Sequence, residues 1–155
     1  MIVRYATEND ISGLLALLRQ VGQVHHDIRP DIFPDNTLKY DEVALKELLK
    51  DESRPVFVAT EGDLVAGYCF CVHRQIQNGT CSVRRKELYI DDLCVDENHR
   101  GTGIATTLYR HVTAYAKDCG CDFITLNVWC GNEQAMKFYE HAGMHPRNIT
   151  MEAKL

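Results

Sequence analysis

Gly101 and Gly103 stand at the mouth of a helical pattern, after an apolar run ending Leu93-Cys94-Val95 and a polar connection from Asp96 to Arg100. Residues of these types at this spacing bind anions. The first N–H groups of a helix lack internal partners, and glycines let a ligand approach those donors closely. Aligned peptide dipoles add a partial positive charge at the same end and Arg100 supplies a full one, so the turn suits a pyrophosphate. A second chemical feature lies just upstream, where Asp91 and Asp92 interrupt the strand-like run from Leu88 to Val95. Acidic residues are disfavoured inside strands and need a reason to be there.

Three glycine-rich designs compete for the turn. A P-loop requires Gly-Lys-Ser/Thr at the helix start, and here Gly103 is followed by Ile104 and Ala105, which excludes it. A dinucleotide fingerprint requires a third small residue where Thr106 stands and a strand running straight into the first glycine. Here five residues, Asp96 to Arg100, intervene after Val95, so a dinucleotide-dependent oxidoreductase fails on spacing. The third design is Arg-x-x-Gly-x-Ala, realised as Arg100, Gly103 and Ala105. It resembles motif A of the GNAT superfamily of N-acetyltransferases, in which the turn binds the pyrophosphate of acetyl-CoA. Downstream, Asn127 and the run Asn132-Glu-Gln-Ala-Met-Lys-Phe-Tyr-Glu-His-Ala-Gly-Met144 are similar to the family's Asn-x-x-Ala-x-x-Phe-Tyr-x-x-x-Gly-Phe segment, with Met144 in place of Phe. The likeness covers Glu87 to Met144 and is loose before it.

The resemblance implies an α/β fold: a central mixed, mostly antiparallel twisted sheet of six to seven strands with helices on both faces. The fourth strand, ending at Val95, would splay from the fifth, Phe123 to Val128, and admit pantetheine. Leu93, Cys94 and Val95 would run beside it, with Leu93 and Val95 giving backbone hydrogen bonds. Arg100, Gly101, Thr102, Gly103, Ile104 and Ala105 would hold the pyrophosphate, Asn132 would contact CoA, and Tyr139 would protonate the departing sulfur. From the residues alone, Leu93 to Val95 is equally an ordinary buried strand, Asn132 a helix N-cap, and Tyr139 a core aromatic beside Phe138. Consecutive helical residues point about 100° apart, so Phe138 is expected to pack and Tyr139 to face the cofactor.

Acetyl transfer from a thioester to an amine needs a neutral amine, a stabilised oxyanion and a proton for the thiolate. An alkyl ammonium has a pKa of about 10.4, so some group must accept its proton. The segment Leu88-Tyr-Ile-Asp-Asp-Leu-Cys-Val95 resembles the matching stretch of the spermidine/spermine acetyltransferases, in which a glutamate stands at the place of Asp91. Asp91 is therefore the first expected base, with a relaying water because aspartate is one methylene shorter. Asp92 is expected on the opposite strand face unless a bulge reorients it. Glu87 is the second candidate, by resemblance to ribosomal-protein N-terminal acetyltransferases, with a surface charge as the alternative. The oxyanion donor would be a backbone N–H near Leu93.

The elements that must position these groups follow from pattern. Ile2 to Tyr5 reads as a strand, and a helix begins at Thr7 with Asp10 in an approximate capping box and Ile11, Leu14, Leu15, Leu18 and Val21 on one face. Arg29 to Pro34 is a loop, and a helix is expected from Asp41 to Lys50. Strands follow at Val56 to Thr60, Leu64 to Gln75 and Lys86 to Val95, with Asn78-Gly79 as a hairpin signal. A central helix carries Ile104, Leu108, Val112 and Tyr115. After the strand from Phe123 to Val128, a helix capped by Asn132 runs to His141 and stops at Gly143, and Arg147 to Ala153 is expected to close the sheet.

At 155 residues the chain is expected to form a single domain over 1–155. Its 22 Asp plus Glu against 17 Lys plus Arg argue against a nucleic-acid surface and fit a cationic acceptor. With no apolar targeting or spanning run, the expected location is cytoplasmic, with no membrane partner. The seven cysteines, Cys69-x-Cys71 and Cys119-x-Cys121 among them, lack zinc spacing, and the seven histidines show no ligand pattern, so reduced thiols and no metal are expected. His25 and His26 either shape a pocket or mark an exposed helix end.

In the family, acceptor choice lies with the loop here spanning His25 to Leu38 and with the hairpin Gln75 to Arg85. Asp27, Asp31 and Asp35 with Phe33 suit a cation with an apolar body, whereas Arg84, Arg85 and Lys86 would repel a polyamine if they faced the cleft. Polyamine, aminoglycoside, amino-acid, and protein N-terminal or lysyl amines stay open. The expected function is acetyl-CoA-dependent N-acetyltransfer by direct attack in a ternary complex. The alternative is a non-catalytic acyl-CoA-binding sensor or interaction domain, against which Asp91 and Tyr139 count, since binding requires neither. A homodimer paired through the closing strand is a further expectation of the resemblance.

Overall fold

The computed structural model describes residues 1–77 and 83–155, so the expected Asn78-Gly79 hairpin lies outside the described residues. The expected patterns are realised as strands β1 (Ile2–Tyr5), β2 (Val56–Glu61), β3 (Leu64–Ile76), β4 (Arg85–Val95) and β5 (Phe123–Leu126). The helices are α1 (Ile11–Ile28), α2 (Glu42–Leu48), α3 (Ile104–Asp118) and α4 (Glu133–His141). The strands form one sheet in the order β1-β2-β3-β4-β5, antiparallel throughout except for the parallel β4–β5 pair.

Helices cover both faces. Leu14, Leu17 and Leu18 of α1 and Leu45 and Leu48 of α2 pack on Val56, Val58, Tyr68, Phe70 and Cys94. On the other face Ile104, Leu108, Val112 and Ala116 of α3 pack on Phe57, Ala66, Cys69, Cys71, Leu88 and Ile90. Each such side chain withdrawn from water contributes roughly 1.5–3 kcal/mol, enough to fix α3 on the sheet. Its N-terminal turn sits very close: a Cβ on Gly67 would lie 3.0 Å from the Cys94 carbonyl, 3.1 Å from Leu108 and 3.2 Å from Ile104. That approach anchors the start of α3 beside the end of β4.

Two features of β4 matter for the site. Its register with β3 pairs Phe70 with Asp92 and Cys71 with Ile90, leaving Asp91 as the extra residue of a β-bulge. Its pairing with β5 runs only from Glu87↔Phe123 to Ile90↔Leu126, so Asp91 to Val95 have left β5 behind.

Among the described residues the sheet has five strands rather than six to seven. The expected closing strand, Arg147 to Ala153, is an irregular tail held by Arg147 on Glu87 (2.8 Å) and Glu152 on Arg29. Its side chains are exposed, with Ile149 at 77% and Met151 at 85%, so it buries no alternating apolar face against this chain. β5 is also shorter than expected, ending at Leu126.

Candidate active site

The β4 bulge and the loss of β5 open a slot. The Asp96 N–H donates to the Ala66 carbonyl on β3 (2.9 Å), and because bonding direction alternates along a strand, Leu93 and Val95 turn their backbone groups the other way, into the slot. Arg100 Nε reaches the Val95 carbonyl only at 3.4 Å. Cys94 faces α1, with Sγ 3.7 Å from the Leu17 carbonyl. Burial pushes its thiol up to about 12, which removes it as a nucleophile at neutral pH.

At the end of the slot the glycine turn takes the conformation its residues allow. Gly101 (φ 77°) and Gly103 (φ 88°) are both left-handed, and a Cβ at either would meet nothing within 4 Å, so the turn presents bare backbone to open space. Gly103 caps α3 without a side-chain acceptor. Among the described residues no backbone or side-chain acceptor takes the N–H groups of Gly101 to Thr106. The turn is braced from beneath: Asp96 accepts from Asn98 N–H (2.9 Å) and Gln20 (2.9 Å), and Thr102 Oγ1 donates to the His99 carbonyl (2.6 Å). An array of free donors at a helix N-terminus is suited to an anion.

From there a groove of about 560 Å³ runs between α3 and α4, lined by Tyr109, Phe138 and the basic side chains of Arg110, Lys117 and His141. Sequence reasoning passed over this groove. The available signal was the seven-residue spacing of Arg110 and Lys117, which puts both on one helical face.

Tyr139 is more deeply buried than Phe138. It is the buried residue of α4, 9% exposed, while Phe138 is half-buried at the groove. The Tyr139 ring packs against Phe138 (5.0 Å between centroids) and Tyr109 (6.2 Å). Its hydroxyl makes no hydrogen bond among the described residues. Burial pushes its pKa up, reinforced by neighbouring Cys69 and Asp92, so the phenol stays protonated. Asn132 caps α4, accepting from the Ala135 N–H at 3.1 Å.

The three carboxylates divide. Asp91 and Asp92 lie on the same face of β4, because the bulge reorients one relative to the other. Asp91 is paired with Lys39 Nζ at 2.9 Å, and Tyr40 Oη, which accepts from Arg54 (2.7 Å), stands 3.3 Å away. Asp92 accepts from Tyr68 Oη at 2.9 Å. Burial pushes Asp92 above the usual carboxylate range, against the pull of Lys39 and the Tyr68 hydrogen bond. Glu87 is neither a surface charge nor near the bulge. At 3% exposed it is clamped by Arg85 (2.6 Å) and Arg147 (2.8 Å), which outweigh burial and hold it below its ordinary range. Arg85 is thereby neutralised rather than presented to a cleft.

Above the bulge, the loop after α1 meets the chain after β5. Phe33 packs on His25 (5.0 Å) and edge-on against Trp129 (5.2 Å), while His26 bonds the Phe33 carbonyl (2.8 Å). The two histidines thus shape a wall rather than an exposed helix end. Burial lowers the His25 pKa, leaving the ring neutral at pH 7. The loop acids are engaged elsewhere: Asp31 with Arg29 (2.7 Å), Asp27 with Gln23 (2.8 Å) and Asp35 with Asn36 (2.9 Å). Among the described residues no cluster of three His, Cys, Asp or Glu could hold a metal ion, and no helix is long and apolar enough to cross a membrane.

Comparison with known proteins agrees with this geometry. Residues 20–144 match the family model described as the acetyltransferase (GNAT) family. The chain is 25% identical over 153 residues to thialysine N-epsilon-acetyltransferase from Bos taurus, covering 92% of this chain and 83% of the relative. It is similar to the crystal structure of a mutant protein from Bacillus halodurans, with a TM-score of 0.95 and 33% identity over 100% of this chain and 99% of that one. An aminoglycoside N-acetyltransferase solved in complex with CoA shares the fold, with a TM-score of 0.71 and 15% identity over 99% of this chain and 100% of that one.

Proposed function

The chain belongs to the acetyltransferase (GNAT) family, and from that premise we propose that this N-acetyltransferase moves acetyl from acetyl-CoA to a small primary amine by direct attack in a ternary complex. The observation that carries the reading is the slot itself: among the described residues β4 is free of β5 beyond Ile90, and it ends on a turn whose N–H donors are unclaimed. Acetyl-CoA supplies the activated acyl group. Leu93 and Val95 would hold its pantetheine arm through their backbone, with Cys94 behind them. Arg100, Gly101, Thr102, Gly103, Ile104 and Ala105 would hold the pyrophosphate, and the basic groove between α3 and α4 would take the rest of the nucleotide. Asn132 serves this arrangement by fixing the start of α4.

The protein's own proton chemistry divides between two groups. Tyr139, buried, protonated and without a hydrogen-bond partner among the described residues, would donate to sulfur. Asp92, raised toward neutrality by burial and held by Tyr68, supports the role of proton acceptor better than Asp91, whose carboxylate already carries Lys39. Glu87 is occupied by two arginines and leaves the list of bases. A sensor that only bound acyl-CoA would gain nothing from a buried hydroxyl left without a partner among the described residues, since such a group costs about 1–3 kcal/mol.

For the acceptor, the carboxylate pair on β4 beside the Phe33–Trp129 wall suits an ammonium on an aliphatic stem. The thialysine enzymes among the relatives support an amino acid bearing a side-chain amine. The enzyme is read as cytoplasmic, formed by one domain, and as a homodimer in which the edge of β5 and the exposed Ile149 and Met151 meet a second copy. The test is thiol release from acetyl-CoA against basic amino acids, polyamines, aminoglycosides and peptide N-termini. Release with basic amino acids alone is expected, and release only with peptide N-termini would replace the acceptor assignment.

A further inference from the structure

We propose that Lys39 is itself an acceptor, and that the enzyme acetylates its own Lys39 ε-amine when acetyl-CoA is bound and no free amine competes. The inference rests on the acetyl-transfer reading above and concerns the same carboxylates.

The ε-ammonium of Lys39 occupies the position an incoming ammonium would need. Its Nζ lies 2.9 Å from Asp91 Oδ2 and 3.3 Å from the Asp91 carbonyl. Burial pulls its pKa down, but the Asp91 hydrogen bond and the charges of Asp92 and Asp91 outweigh burial, so the ammonium stays charged beside Asp91. Tyr40 contributes its ring face, 5.8 Å from Nζ. Lys39 is thus a primary alkylamine, the acceptor class proposed above, resting in the carboxylate and aromatic setting proposed to bind that class. It arrives from the loop between α1 and α2 rather than from the sheet, and its side chain is 40% exposed, so it can leave as well as enter.

The reacting region is within reach. Leu93, whose backbone faces the slot, lies two residues beyond Asp91 along the strand, a separation of roughly 7 Å at the usual strand rise. A lysine stem spans that by rotating about its own bonds, without movement of β4. The other lysines whose ion pairs are described pair elsewhere, Lys46 with Glu42 on α2, Lys50 in the turn after α2 with Glu47, and Lys137 with Glu133 on α4.

The step balances with acetyl-CoA as its only co-reactant. Lys39 Nζ gives up one proton to the nearby carboxylate, and its lone pair attacks the acetyl carbonyl carbon. The N–C bond forms as the C–S bond breaks, the sulfur departs with the electron pair and takes a proton from Tyr139 to leave as free CoA thiol, and the second proton lost from Nζ restores the Tyr139 hydroxyl, so the protonated carboxylate carries the one net proton released. The product is a neutral amide that no longer neutralises Asp91. Acetylation therefore clears the carboxylate pair for a cationic acceptor, so one self-directed turnover would prime the site.

The experiment incubates the purified full chain with acetyl-CoA alone and follows intact mass and acetylated peptides. The proposal expects a gain of one acetyl group at Lys39, with a half-time independent of protein concentration. Heat-unfolded protein and Lys39→Arg should lack that modification, and a saturating amine acceptor should slow it at least tenfold. Thiol release with an amine is measured on the same preparation. Turnover of the amine by a preparation in which acetyl-CoA alone leaves Lys39 unmodified overturns the proposal and leaves the acetyltransferase reading intact. Labelling of Lys39 no faster than of Lys46, Lys50 or Lys137, or at a rate proportional to protein concentration, also overturns it. No thiol release and no labelling would defeat both readings, whereas labelling of Lys39 without any accepted amine would uphold this one.

Discussion

Replacing Tyr139 by phenylalanine removes one oxygen and separates chemistry from packing. The ring is 9% exposed, with Phe138 and Tyr109 against it, and phenylalanine keeps those contacts. The hydroxyl is buried without a hydrogen-bond partner among the described residues, so in the absence of ligand it costs roughly 1–3 kcal/mol of desolvation that nothing returns. Its removal should leave stability unchanged or raise it by up to that amount. For a chain of this size each 1 kcal/mol is a shift of about 2–4 °C in Tm. Turnover should move the other way, because loss of a positioned general acid lowers rates by about 10²–10⁴-fold. The two assays are thermal unfolding followed by circular dichroism and thiol release at saturating acetyl-CoA. Acetyl-CoA affinity should stay within a few-fold, since the hydroxyl acts on the departing sulfur. A variant that unfolds several degrees lower, or one that turns over like the wild type, would refute the assignment: the first outcome gives the hydroxyl a structural partner, the second removes its chemistry.

Three further predictions follow from individual groups. Gly103→Ala should cost about 1–2 kcal/mol, the penalty for a left-handed non-glycine residue, and should weaken acetyl-CoA binding by calorimetry, because the added methyl sits on the bare face of the turn. Asp92→Asn should raise stability at neutral pH while depressing turnover. A carboxylate raised in the folded state stabilises the protein below its unfolded pKa and loses that contribution as pH rises through the folded value, so urea melts of the two proteins should diverge as pH rises above the ordinary Asp range. Glu87→Gln has the opposite sign. Its folded pKa is lowered, so its contribution is present above the unfolded value and lost as pH falls through the folded one. The variant should be about 1–3 kcal/mol less stable at pH 7, with the difference closing in acid and acetyl-CoA affinity unchanged.

The turn and its helix were legible because glycine chemistry is local: Gly101 and Gly103 adopt left-handed backbone, and Arg100, Gly103 and Ala105 carry their spacing wherever the chain goes. The β4–β5 opening was legible through resemblance, since no period in the sequence announces where two strands part. What could not be read was tertiary. Glu87 looks like any strand glutamate until Arg147, sixty residues on, closes over it. Lys39 looks like a loop lysine until the bulge aims Asp91 at it. Helical geometry separated Phe138 from Tyr139, but the 100° step fixes only their difference, and the docking of α4 fixes that Tyr139 is the more buried of the two. The closing strand failed for an energetic reason: Ile149 and Met151 alternate as a strand should, but this chain offers them no surface on which to bury.

The most direct test of the central claim, that the β4 slot and glycine turn bind acetyl-CoA, is calorimetric titration of the purified protein with acetyl-CoA. One saturable site per chain, competed by CoA and weakened in Gly103→Ala, is the predicted result. No binding, or binding of equal strength in Gly103→Ala, would contradict it.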